Sequence, residues 1–138
     1  MTDPPIRSVR AAPDPDRRSR VGLALVALAL IGIGLPARFL LPGVAGDVAG
    51  GLLYAALIFV LVAIAWPRAS VLRIAVVALA VVIGVELLQL TGIPATLGEA
   101  FPPARLVFGS TFAVSDLVVG AAGVGLMAAT DAVFARPR

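Results

Sequence analysis

Four long apolar stretches, separated by short breaks rich in proline, glycine and arginine, dominate the sequence. The first runs from Val21 to about Leu41 and the second from Val44 to Trp66. The third runs from Val71 to about Leu90 and the fourth from Phe112 to Phe134. A helix needs about 20 predominantly apolar residues to cross a bilayer, so four crossings fit. Periodicity adds little here, because a helix in lipid is apolar on every side. The uninterrupted part of the first stretch stops at Leu35, before Pro36, and would reach only about 22 Å at 1.5 Å per residue. It is expected to continue through a proline kink to the far interface. The second ends on Trp66 and Pro67, an interfacial aromatic followed by a helix stop.

Residues 91–111 break the pattern. Pro94, Pro102 and Pro103 interrupt a segment that still carries Leu106, Val107 and Phe108. It is too broken to span and too apolar for a free loop, so a re-entrant or interface-lying segment is expected before the fourth helix. Thr96-Leu97-Gly98-Glu99 has capping-box spacing, and Pro102 should hold any helix there to about a turn. The predicted fold is an all-α integral membrane protein of four transmembrane helices. A disordered cytoplasmic tail (1–20) precedes a single membrane domain (21–134), and a short cytoplasmic tail (135–138) follows. The first twenty residues hold four Pro, five Arg and three Asp, a composition that does not fold alone. The tail is too long and acidic for a signal-peptide n-region, so the first apolar run is read as retained.

Composition agrees with this reading. The chain is 60% hydrophobic and 14% charged over 138 residues, with a mean hydropathy of +1.05. A soluble domain is closer to half apolar and a quarter charged. All eleven cations are Arg and the net charge is +3, which suits anionic headgroups better than a nucleic-acid groove. There is no Cys and no His. That removes disulfides, thiol nucleophiles, Cys/His zinc sites and the Ser-His-Asp triad. No cofactor or metal is implied.

Nine of the eleven Arg fall in the two termini and the loop between the second and third helices. Only Arg38 and Arg105 fall in the other two loops. The positive-inside rule then places both termini in the cytoplasm.

With that topology, Arg38, Asp47, Glu86 and Asp116 all lie in the outer half of the membrane. Ionisable groups there cost on the order of 2.5 to 3.5 kcal/mol each unless paired. Glu86 and Gln89 are three apart and share a helix face. Asp47, Gly50, Gly51 and Tyr54 form one stripe, and Asp116, Gly120 and Gly123 another. Gly46-x-x-x-Gly50 has the spacing of close helix packing. The candidate ligand-binding cluster is Arg38, Asp47, Glu86, Gln89 and Asp116. Each member also has an ordinary reading. Asp47 and Asp116 can cap helix N-termini, Arg38 can snorkel to headgroups, and Glu86 can be a structural partner of Arg38. Asp131 is expected at the inner surface near Arg136.

Gly34-Leu35-x-x-Arg38, Gly46-Asp47, Glu86-Leu87-Leu88-Gln89 and Phe108-Gly109-Ser110-Thr111-Phe112-x-x-x-Asp116-Leu117 with Gly123 together resemble the domain-of-unknown-function 2809 membrane family. That family is similar in pattern to VanZ-like proteins, and the likeness covers about residues 21 to 130. The chain departs from it at Ala49-Gly50-Gly51, where the family often has an aromatic, and at Gly120, where it often has Tyr. The resemblance implies a small bacterial cytoplasmic-membrane protein of unknown biochemical activity. Its VanZ-like relatives imply work in the cell envelope.

The leading functional expectation is a non-catalytic protein that binds an envelope lipid or cell-wall precursor at an outer-leaflet polar site. A proton- or ion-coupled small carrier is the alternative from another class, because paired intramembrane carboxylates can relay protons. A structural or assembly subunit is a third. An intramembrane carboxylate hydrolase is disfavoured, since no paired aspartyl motif is present. Membrane lipids are the expected partners, nucleic acid is not, and a homo-oligomer or a membrane-protein partner is compatible with the sequence.

Overall fold

A computed structural model describes residues 18–109 and 113–134 of the chain. Six helices run in order: α1 Arg20–Leu40, α2 Gly43–Ala65, α3 Val71–Gln89, α4 Ile93–Ala100, α5 Ala104–Phe108 and α6 Val114–Phe134. Four of them, α1, α2, α3 and α6, are long and apolar enough to cross a membrane. The described chain is a multi-pass helical membrane protein.

The helix ends follow local chemistry. Ser19 caps α1 by accepting from the Gly22 N–H, and Ser70 caps α3 by accepting from the Arg73 N–H, each satisfying one orphan donor. The first helix runs unbroken past Pro36. Proline there leaves the Gly32 carbonyl without its helical donor, which neighbouring groups in membrane helices tolerate. Trp66 closes α2 through its N–H to the Val62 carbonyl at 3.0 Å, and Pro67 prevents continuation.

The segment before α6 folds into two short helices, α4 and α5, both packed on α3. The capping-box expectation does not hold. The helix starts three residues before Thr96 and runs for eight residues, about two turns. Gly92, at φ +74°, turns the chain out of α3, a left-handed conformation that glycine adopts without a Cβ penalty. Pro94 then sits in the first turn, where its missing N–H costs nothing. The Thr96 hydroxyl donates back to the Ile93 carbonyl at 2.9 Å instead of capping.

Packing centres on α2, α3 and α6. Phe59 and Ile74 are the largest side chains of this core, with Ala55, Ala63, Ala78, Val82 and Val124 around them. Glycines set the helix separations. Gly123 lies against Leu52 and Ala55, Gly51 against Val119, and Gly120 against Val82. Small residues of this kind let membrane helices approach backbone to backbone. The first helix packs on α2 alone, with Ala27 its one buried residue. Between the exposed Arg20 and Arg38 at its ends, its remaining surface is apolar, as lipid contact requires.

Candidate functional site

The bundle has two chemically different ends. One carries the C-terminus of α1, the N-terminus of α2, the C-terminus of α3 and the start of α6. All five sequence-predicted site residues lie there, but the structure divides them into two groups.

The first group is an ion pair. Arg38, in the last turn of α1, donates to the Asp47 carboxylate at 2.6 Å. Both side chains are more than half exposed. Gly46 meets the Arg38 carbonyl and that of Leu41, just past α1, and Gly50 meets the aliphatic stem of Arg38. The Gly46-x-x-x-Gly50 spacing thus seats the end of α1 and threads the guanidinium towards Asp47. Asp47 stands in the second turn of α2, whose cap position is held by Pro42, so it is not an N-cap. Among the described residues Arg38 forms no ion pair with Glu86 or Asp116.

The second group is enclosed by α2, α3 and α6. Glu86 is 8% exposed, the one buried charged residue of the described chain. Among the described residues its Oε2 has no hydrogen-bond partner. The Ala113 backbone N–H, just ahead of α6, faces the carboxylate, and Asp116 and Tyr54 are its electrostatic neighbours from α6 and α2. One helical turn on, the Gln89 Nε2 donates to the Phe108 carbonyl at 2.7 Å. That bond ties the end of α3 to the end of α5. Gly109, at φ +66°, takes a left-handed backbone that favours glycine, with the Gln89 amide close against it. The Gln89 Oε1 is buried and, among the described residues, unpartnered. Asp116 occupies the first turn of α6, where a carboxylate favours the helix dipole, and Ser115 donates to it at 3.4 Å. Arg105 lies across Gly98 and covers α4. Ser110, Thr111 and Phe112 fall outside the described residues.

The comparison with family models decides the family. A model described as "Protein of unknown function (DUF2809)" matches residues 40–124, more than half of the chain. The chain belongs to this family. No curated protein and no solved structure matches it. The DUF2809 match contains Asp47, Glu86, Gln89 and Asp116 and stops short of Arg38. The buried group is therefore wholly inside the family region, while the exposed ion pair straddles its edge.

The opposite end holds a contact that the sequence reading missed. Arg18 grips Asp131 near the end of α6 through Nε at 2.8 Å and Nη2 at 2.6 Å. Its Nη1 also donates to the carbonyls of Pro67 and Ala69. Asp131 is thus the anchor of Arg18 and not a loose surface group, and Arg136 lies outside the described residues. Arg18 packs against the bundle, whereas Ser19 and Arg20, the cap and first residue of α1, are exposed. The partners are 113 residues apart, and nothing local in the sequence signals the pairing.

Proposed function

We propose that this DUF2809 protein binds an amine-bearing envelope lipid or cell-wall precursor at the Glu86 end of the bundle, without catalysing a reaction. The observation that carries the reading is the pair of buried acceptors, Glu86 Oε2 and Gln89 Oε1, one turn apart on the same face of α3 and unpartnered among the described residues. A buried acceptor without a donor costs about 1–3 kcal/mol. Two such groups are a large fraction of the 5–15 kcal/mol that typically stabilises a protein. A ligand N–H or ammonium group recovers that cost, and Asp116 adds negative charge on the facing helix.

Arg38 and Asp47 serve the same site from its rim. The pair is exposed, so the guanidinium is free to exchange part of its contact with Asp47 for a ligand phosphate. In this reading, which follows the arginine bias, this end lies at the outer leaflet of the cytoplasmic membrane, with both termini inside. An amine and an anion recognised at one end of the bundle describe a zwitterionic headgroup.

Native mass spectrometry of the chain released from its own membranes tests this. The expected result is a retained amine-containing amphiphile that disappears from Glu86→Gln and persists in Asp131→Asn. Retention of the same species by Glu86→Gln, or release of the wild-type chain free of any amine lipid, removes the reading. Retention by Glu86→Gln also turns attention to a structural role for the cluster.

A further inference from the structure

We infer that the end of the bundle carrying Arg18 holds a second site, for the phosphate of an anionic phospholipid whose acyl chain runs down α3. The inference is independent of the Glu86 site, which lies at the other end.

Arg18 builds this end. Its bonds to Asp131, Pro67 and Ala69 draw the start of α1, the α2–α3 connection and the end of α6 together. Beside it opens a cavity of about 1090 Å³, walled by the first residues of α1 and α3 and backed by the end of α2. That is far more room than a phosphate ion fills. Arg20, Arg68 and Arg73 line it. Arg18 is neutralised by Asp131, whereas these three have no ion-pair partner among the described residues. Both helices that open into the cavity do so by their N-terminal ends, the positive end of the dipole. Their Ser19 and Ser70 hydroxyls accept from the Gly22 and Arg73 N–H groups as caps, and the arginines supply the charged donors.

The lining changes character with depth. Leu72 flanks Arg73, and Val76 and Val77 continue down α3 below it; Leu72 and Val76 are strongly exposed. Trp66, also exposed, stands at the mouth, the level where tryptophan meets headgroups. Cations above and an open apolar track below match an amphiphile and not a soluble anion. Charge, cavity and track therefore commit the site to a lipid with a net negative headgroup.

Trp66 is the single tryptophan of the chain, so its fluorescence reports this cavity alone. The full chain is placed in phosphatidylcholine nanodiscs carrying a minor fraction of either brominated phosphatidylglycerol or brominated phosphatidylcholine. The brominated anionic lipid is expected to quench Trp66 several-fold more than its mole fraction predicts. Each basic side chain near a membrane surface is worth roughly a fivefold preference. The triple variant Arg20→Gln, Arg68→Gln, Arg73→Gln should bring quenching to the phosphatidylcholine level, and the triple Lys variant should keep most of the preference. Should the Gln triple not fold, Arg73→Gln alone is expected to reduce the preference about fivefold.

Equal quenching by the two lipids overturns the proposal, as does a preference that survives the Gln variants. Displacement of the brominated lipid by millimolar inorganic phosphate assigns the site to a soluble anion. A preference that emerges only after Asp14→Asn and Asp16→Asn assigns the cavity to the chain's own N-terminal segment. Either result also overturns the lipid assignment.

Discussion

Single side chains decide how tightly this bundle closes. Gly123 has the Leu52 carbonyl and the Ala55 Cβ each 2.8 Å from where its own Cβ would stand, and backbone cannot yield as a flexible side chain does. Gly123→Ala should therefore destabilise by about 1–3 kcal/mol, the usual cost of overpacking. Gly125, two residues on, has nothing within 4 Å of that position. Gly125→Ala should be neutral or slightly stabilising, because alanine is the better helix former. Reversible unfolding in detergent compares the two, and equal losses would refute the packing account. The two ion pairs differ in the same way. Arg38 and Asp47 are 56% and 57% exposed, while Arg18 and Asp131 are 14% and 16% exposed. Asp47→Asn should change stability by about 0–1 kcal/mol, and Asp131→Asn by clearly more in the same unfolding assay. The i, i+3 spacing of Glu86 and Gln89 made their shared face readable from sequence, since helix geometry fixes it. Their lack of partners among the described residues was not readable, because burial and satisfaction depend on α5 and α6.

At the scale of elements, the four long helices were legible because lipid demands length and apolarity, and their ends fall within about two residues of the predicted ones. The short α4 was misjudged. Thr96 and Glu99 have the spacing of a cap, but Gly92 and Pro94 together supply a better start one turn earlier. The Arg18 clamp was invisible, since it joins residues from opposite ends of the chain. It makes a testable element of the α2–α3 connection. Arg18→Gln should speed amide exchange across residues 68–70 and at the end of α6, with little change at α4 and α5. Uniform acceleration through the whole bundle would show that the clamp acts on global stability and not locally.

For the whole molecule, four helices long enough to cross a membrane and the nine-to-two arginine distribution predict both ends of the membrane domain on the cytoplasmic side. Reporter fusions after Arg20, near Gly43, near Arg68 and near Pro103 should read inside, outside, inside, outside. A cytoplasmic signal near Gly43 would invert the orientation and move the Glu86 site to the inner leaflet. The two ends then have separate chemistry: buried acceptors and a half-exposed ion pair at one, and arginines over an apolar track at the other. The central claim is that the first end awaits an N–H donor. Phosphatidylethanolamine carries such donors, and phosphatidylcholine, with its nitrogen fully methylated, carries none. The decisive measurement is the unfolding temperature of the chain in nanodiscs of each lipid, for wild type and for Glu86→Gln. The account predicts a higher value in phosphatidylethanolamine for wild type and loss of that increment in Glu86→Gln. An identical increment in both proteins, or none in wild type, would contradict it.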